Sequence, residues 1–443
     1  MSAARRIAIA VGGWCIAGAV AVSSAQAGTT PPIAYAPGAD GPRVTIVPLG
    51  AASGGRAPWK VQVSFRCEGQ TVAGALAVRV DRGGRFEAQT KRLVTEADAG
   101  SDTDVSIRGR LSESAARGSI DAHARAYDNA GTTFECSKDG IKWRAEATSE
   151  PGSERVESFL PTAADALAVT TEAVFVDEDH GDKPSTVKRL DPQTGKTKWS
   201  RRVGDADQVA AGAERVWVAN GAKGRVLGLD ARTGRVVSTT SVGPGNFDAI
   251  APGTPQPIAV TVDAVWVATA GGLVRLDPST GQERARVAVG GAETVVAGPS
   301  GVVTAVAVPG ADGRPVSSRV VRVDPTTSQA VAEATTDKLP DSFRIAAGGD
   351  AITLADGDDE PIVRLDPDTL APLAPTDVVA DGGGVAAATP GTWVSTPDGL
   401  VALDASGVPV VRVRGITGEI GAARNTVWVL DTGAGGVVRV RAG

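Results

Sequence analysis

The chain has 443 residues, with 45 Lys and Arg against 51 Asp and Glu and a formal charge of −6. A mildly acidic, evenly mixed surface lacks the clustered Lys and Arg that phosphate binding needs, which argues against nucleic acid as a partner and gives no pull towards an anionic membrane. With 55 Gly, 27 Pro and 22% charged residues, and short Val-rich alternations in place of a sustained 3.6-residue period, the chain reads as all-β and long enough for two or three domains.

Residues 1–27 have the pattern of a secretory signal peptide. Arg5 and Arg6 open it, Ile7 to Val22 is almost wholly apolar, and Ala25-Gln-Ala27 offers a small-residue cleavage site before Gly28. An uncleaved anchor is the competing reading, but the apolar run is short for a span. No other segment is long and apolar enough to cross a membrane, so an extracytoplasmic chain is expected, secreted or associated with the envelope. Cleavage removes two arginines and no acid, moving the formal charge to −8. The mature chain keeps Cys67 and Cys136, and outside the cytoplasm these are expected to form a disulfide closing a loop of about 70 residues. With His123 the lone histidine between them, they make a poor metal set.

Residues 28–42, rich in Gly, Pro and Thr, are expected to be a flexible lead-in. A β-sandwich-like domain is predicted over 43–150, with strands at 43–48, 59–68, 73–81, 85–91, 103–110, 117–127 and 132–147. In the second, Trp59, Val61, Val63, Phe65 and Cys67 share one face, while Lys60, Gln62, Ser64 and Arg66 share the polar one. Asp81-Arg-Gly-Gly84 and Lys138-Asp-Gly140 mark turns. Trp59 and Trp143 read as core residues and His123 as a solvent-side residue, with no nucleophile paired to a base. A short polar linker, 148–154, follows.

The stretch 155–443 is a repeat. One unit reads Ile258-Ala-Val-Thr, Ala264-Val-Trp-Val-Ala, Leu273-Val-Arg-Leu-Asp-Pro-Ser-Thr-Gly281 and Glu283-Arg-Ala-Arg-Val-Ala-Val-Gly, which is four strands a to d split by turn residues. The b run recurs at Val174, Val216, Val265, Val303, Ile352, Thr392 and Val427, 35 to 49 residues apart. The c–d turn recurs from Asp191, Asp230, Asp277, Asp324 and Asp366, and in short form from Asp404. These aspartates read as turn caps that accept from backbone N–H groups two residues on, not as catalytic acids. A four-stranded sheet apolar on both faces must be stacked, and a closed stack has no ends. Seven such units predict a seven-bladed β-propeller. Its last unit lacks strand d, and residues near 155–160 are expected to supply that outer strand.

The Val-Trp-Val-Ala and Leu-Asp-Pro-x-Thr-Gly runs resemble those of seven-bladed YVTN and NHL propellers, with streptogramin lyases and quinoprotein-like repeats as relatives. The resemblance covers about 280 residues and implies the fold far more than any chemistry. A lyase of that kind uses a histidine near a metal-bound carboxylate. This ring holds one histidine, His180, in the acidic stretch Asp177, Glu178, Asp179, His180 and Asp182, a weak candidate for a cation held by oxygen ligands. The quinoprotein pattern fails for want of ring cysteines. No catalytic residue, metal or cofactor is assigned. The leading expectation is a non-catalytic module binding a protein, peptide or cell-wall glycan; a metal-assisted lyase and a purely structural envelope protein are the alternatives. Insertions at 177–185, 309–318 and 356–361 are expected on the b–c face, and 246–253 on the opposite one.

Overall fold

The computed structural model describes residues 33–35, 42–50, 58–67, 70–81, 83–90, 94–95, 101–112, 114–127, 133–148, 155–180, 183–204, 206, 208–212, 214–220, 223–243, 256–310, 315–336, 344–355, 361–381 and 383–443. All of them belong to one compact unit, Pro32–Gly443.

Nine strands form the first sheet: β1 (Ile33–Tyr35), β2 (Arg43–Pro48), β3 (Pro58–Cys67), β4 (Gln70–Arg79), β5 (Arg85–Thr90), β6 (Val94–Thr95), β7 (Ser101–Leu111), β8 (Ala115–Tyr127) and β9 (Thr133–Thr148). Their order is β5-β7-β8-β9-β1-β2-β3-β4-β6. The strand β1 falls in the stretch read as a lead-in and pairs with both β9 and β2. The expected sandwich is therefore replaced by a single sheet. β4 and β5 lie near opposite ends of the order, yet one tight turn joins them, with Asp81 Oδ1 accepting from Gly83 N and Arg85 N at 2.8 Å each. The sheet must curl for that turn to close. It wraps one core in which Val61, Phe65, Ile107, Ile120 and Trp143 meet.

The expected Cys67–Cys136 disulfide falls partly outside the described residues. No Sγ–Sγ pair occurs among the described residues, and the Cys67 side chain lies outside them. Cys136 is buried and carries no free thiol. β1 and β2 lie between β3 and β9 in the sheet, so no strand ladder sets the two residues side by side.

Beyond residue 155 the described strands form seven small antiparallel sheets, six with four strands and one with three. Six are meanders of consecutive strands and the seventh adds one strand from upstream; the inner strands are Ala166–Val169, Gln208–Ala211, Ile258–Val260, Ala292–Gly298, Arg344–Ala347, Val385–Ala388 and Glu419–Ala423. Each of these inner strands packs against the next, and the last packs against the first. The arrangement is a closed, propeller-like ring. In the seventh sheet the outer strand comes from upstream: β10 (Val156–Pro161) pairs antiparallel with Gly436–Arg441.

Strand b is buried on both faces. Phe175, Trp217, Trp266, Trp393 and Trp428 are at most 3% exposed. Directly across from Trp266 and Trp428 on strand c stand Arg275 and Arg439, whose guanidinium groups lie 5.6 and 5.4 Å from the ring centroids. The strand-c arginines also reach the following sheet. Arg275 Nη1 donates to Ser328 Oγ at 3.2 Å, Arg364 Nη2 donates to Ala405 O at 2.6 Å, and Trp199 Nε1 uses Ala231 O in the same way at 3.0 Å. The acceptors sit in or beside the next c–d turn, so the turns of the second, fourth and sixth sheets are clasped by the sheet before them.

Those turns need a left-handed residue before strand d. Gly195, Gly234 and Gly281 supply it, but Ser328 (φ 57°) and Leu370 (φ 60°) stand there in the fourth and fifth sheets. A left-handed residue costs roughly 1–2 kcal/mol. Leu370 is 1% exposed, and burying a leucine returns about 1.5–3 kcal/mol, so burial wins at that turn.

The first sheet docks on the seventh. Leu49 enters a cluster of the ring with Trp393, Ile416 and Ala434. Gly415 lies against Val47, where any Cβ would come within 2.6 Å. Lys60 Nζ and Asp431 Oδ2 are 2.5 Å apart, each side chain 1% exposed. Asp431 also accepts from Thr417 N and Ala434 N.

Two consequences are measurable. Truncation of residues 434–443 removes the strand that β10 pairs with, and is expected to abolish the cooperative unfolding transition of the whole ring; a truncated chain melting at the native temperature would rule out this closure. Asp431→Ala leaves Lys60 buried without its counter-charge, at a cost of about 3–5 kcal/mol, read as a lower urea midpoint at unchanged slope. Lys60→Met with Asp431→Asn, which keeps the backbone acceptor, should recover most of that loss.

Candidate binding face and channel

The acidic stretch does not gather into a free cluster. Glu178 is 7% exposed; Lys188 Nζ lies 2.5 Å from it, and Thr162 Oγ1 donates to it at 3.0 Å. Asp177 is 2% exposed and paired in register with Ala166 of the inner strand. The backbone of His180 pairs with Lys183; the side chains of Asp179 and His180, and the whole of Asp182, lie outside the described residues. Among the described residues no three His, Cys, Asp or Glu side chains gather as a metal set.

The repeated aspartates behave as turn caps throughout. Oδ1 accepts from the second and third following N–H groups at Asp191, Asp230, Asp277, Asp324 and Asp366. In the first sheet, Ser137 Oγ lies 3.0 Å from His123 Nδ1, and His123 Nε2 lies 3.4 Å from Asp139 Oδ1. This serine–histidine–aspartate chain was missed in the sequence because a register, β8 against β9, assembles it. His123 and Asp139 are 58% and 71% exposed, so bulk water screens the pair and it reads as a surface hydrogen-bond chain.

The faces of the ring follow from the meander. Strand a leaves the d–a connection and strand b returns to the b–c connection, so both emerge on one face. Hydrogen bonds from Val242 N to Gly224 O, Gly291 N to Ala270 O and Gly415 N to Asp398 O tie d–a residues to b–c residues. This corrects the expectation of opposite faces for 246–253. Those residues lie outside the described ones, but Val242 and Gln256, which flank them, belong to the b–c face. The docked first sheet lies at this same face, at Gly415 and Asp431.

At this end of the ring three inner strands open on polar residues. Arg344 is 5% and Gln208 7% exposed. Gln208 Nε2 lies 3.4 Å from Glu419 Oε1, and the Glu419 carboxylate also accepts from the Leu167 N–H on the free edge of the first inner strand. Part of Glu419 remains accessible while its carboxyl group is buried, and burial pushes its pKa up against the opposing pull of Arg344. Burial also lowers the Arg344 pKa, although a guanidinium stays charged. Arg344 Nε and Gln208 Oε1 are buried without hydrogen-bond partners. The sequence carried a signal for this group: Gln208-Val-Ala-Ala, Arg344-Ile-Ala-Ala and Glu419-Ile-Gly-Ala each place one polar residue before small apolar ones, whereas Ala166 and Val385 open theirs apolar.

Along the inner strands runs a cavity of about 570 Å³, walled by Val296, Ala346, Val385, Ala387 and Ile420 among others.

No family model matches the chain, and no curated protein matches it. Solved structures do. Hydrazine synthase from Kuenenia stuttgartiensis is 13% identical, with 63% of this chain and 96% of that one covered at a TM-score of 0.50. BamB from Moraxella catarrhalis is 15% identical, covering 72% and 93% at 0.43. PorZ, a surface component of the type-IX secretion system of Porphyromonas gingivalis, is 10% identical, covering 93% and 74% at 0.44. At these identities the likeness is one of fold. The chain is all-β with a propeller-like fold. It is extracytoplasmic, and among the described residues no helix is long and apolar enough to cross a membrane.

The turn caps set a pH dependence. The carboxyls of Asp191, Asp230, Asp277, Asp324 and Asp366 are held below the usual value of 3.8, chiefly by the Lys198 ammonium, the Thr233 hydroxyl, the Ser279 hydroxyl, the Thr327 N–H and the Thr369 hydroxyl respectively. A depressed folded-state pKa gives stability that is present above the unfolded value and lost as pH falls below it. The melting temperature is expected to drop steeply below about pH 4. Replacing the five by Asn, which keeps Oδ1 as acceptor, should flatten that limb; an unchanged acid slope would assign it elsewhere.

Proposed function

We propose that this is an exported, non-catalytic propeller of seven blades, of the YVTN and NHL type, that binds another exported or envelope protein through its b–c and d–a face. In this reading the sheet of residues 43–150 is a separate domain docked as a fixed shoulder on that face. One observation carries the reading. The lengthened connections at 177–185, 243–256, 309–318 and 356–361 all leave the ring on this face, and from the sheets that the first sheet does not dock on.

Connections that carry insertions on a rigid ring are where recognition is placed. Val316, within the third insertion, is 53% exposed, an apolar contact offered to a partner. The lyase alternative loses support because Glu178, the buried acid of its candidate stretch, is already neutralised by Lys188. A purely structural role would give the insertions no task.

The test is capture of partners from exported and envelope fractions on immobilised protein, comparing wild type with Val316→Arg and Val262→Arg. Val262 is 93% exposed on an a–b turn, on the opposite face. The expected result is at least tenfold weaker capture (about 1.4 kcal/mol) of one protein by the Val316 variant and none lost by the Val262 variant. Equal loss in both, or retention of a glycan fraction alone, would overturn the protein-binding reading.

A further inference from the structure

The outer face of the first sheet carries a charge arrangement that neither the ring nor its docking uses. Register sets Arg85 of β5 opposite Arg110 of β7, Arg110 opposite Arg117 of β8, and Arg117 opposite Arg144 of β9. Four arginines therefore stand in one row across four adjacent strands, and all four are exposed. Their chain neighbours Phe86, Ala116, Trp143 and Ala145 turn inwards to the core, which leaves the row on the solvent side. The next row reads Glu87, Arg108, Ser119 and Lys142, so the two rows hold six cations and one acid. Charge is evenly mixed along the chain but not on this face; strand pairing collects residues that the sequence spreads from 85 to 144.

Like charges directly opposite one another on a sheet destabilise it, and this row sets three such pairs side by side. Across these four strands no acid stands in register with any of its members. Elsewhere on the same face the charges are matched. Arg108 Nη2 lies 3.8 Å from Asp121 Oδ2, His123 Nε2 lies 3.4 Å from Asp139 Oδ1, and Gln89 Nε2 donates to Asp104 Oδ1 at 2.8 Å. Arg110 Nε donates to Gly83 O at 3.1 Å, which ties that guanidinium to the Asp81 turn. Val47, Lys60 and Ala75, on β2, β3 and β4, face the ring, so the row lies in the other half of the sheet and stays open.

Neighbouring strands are about 4.8 Å apart, so the row offers one guanidinium at about that interval over roughly 14 Å. Duplex DNA, with a charge about every 1.7 Å, is far denser than the row can match. A protein interface is centred on aromatic and apolar anchors, and among the described residues the exposed large hydrophobics all lie in the ring. A linear acidic polysaccharide needs no such anchor. It carries one carboxylate on each sugar, at a repeat close to the strand spacing, and a guanidinium takes a carboxylate through two parallel hydrogen bonds. We propose that this row binds an unbranched polysaccharide of uronic acids, laid across β5, β7, β8 and β9.

Calorimetric titration of the full chain with hexagalacturonate, its methyl ester, hexaglutamate and a short DNA duplex tests this, each up to about 1 mM in salt of about 50 and 200 mM. The expected result is saturable binding of hexagalacturonate that weakens at the higher salt, and none of the ester, which keeps the sugars and loses the charge. Arg117→Gln with Arg144→Gln should weaken that binding at least tenfold while the melting temperature holds or rises, because a like-charged pair is removed. Arg201→Gln with Arg202→Gln takes the same charge from the exposed outer strand of the first blade and should bind as the wild type does. The proposal is overturned if hexagalacturonate does not saturate, if the ester binds equally well, or if the two double variants bind alike. Tighter binding of hexaglutamate or of DNA would also overturn it, assigning the row to an acidic protein or to nucleic acid.

Discussion

A sheet that is apolar on both faces cannot end in water, and this constraint governs the ring. Every blade but the last carries its own four positions, counting the irregular segment after Leu365 in the fifth. The last has three strands of its own and takes the fourth from β10, some 280 residues upstream. Val437, Val438 and Val440 are fully buried and Leu160 is 2% exposed, and side chains of this kind contribute about 1.5–3 kcal/mol each when buried. The closing pair is therefore worth more than any capped turn on the surface, and it is the contact that turns a row of sheets into a ring. The arginine and tryptophan donors from the first, third and fifth sheets to the next c–d turn act in the same direction, fixing the rotation of those blades against their neighbours.

The position of the first sheet rests on a different kind of interaction. Apolar contacts such as Val47 against Gly415 give area without direction. Lys60 and Asp431 give direction, because each is buried and finds its counter-charge in the other in one register. A buried pair adds little net stability over apolar residues of like size; its effect is to make misdocked arrangements costly. The sheet is thereby held at one arc of the b–c face, and the insertions rise from the rest.

What could be read from the sequence was what local chemistry determines. Val-Trp-Val alternation and Asp-Pro-x-Thr-Gly turns are decided within a few residues, so the strands, the caps and the closing role of Val156–Pro161 were legible. The first sheet shows the limit. Alternation put Lys60 on the polar face of β3, which is correct, but that face is buried by a partner 371 residues away. Nothing local announces that. The curl of the nine strands depends on the order in which they pair, and the single Asp81 turn reveals it only once β4 and β5 are known to lie near opposite ends. The pairing of His123 with Ser137 and Asp139 likewise depends on the β8–β9 register. The face of the d–a connections was misjudged for another reason: it follows from counting antiparallel reversals, and needed no structure at all.

The channel shows where stability and function part. Four of the seven inner strands open on Ala, Ile or Val, and the ring closes as well there as elsewhere. Placing Arg344, Gln208 and Glu419 at the other three adds desolvation cost and leaves two buried polar atoms unsatisfied, each a penalty of roughly 1–3 kcal/mol. Natural chains break their own local rules at sites under functional demand and recover the stability elsewhere. In this chain the recovery is visible in the tryptophan–arginine stacks, the clasped turns and the closing strand pair, all of them remote from the polar end of the channel. The ring is stable enough to carry an unfavourable group at its centre.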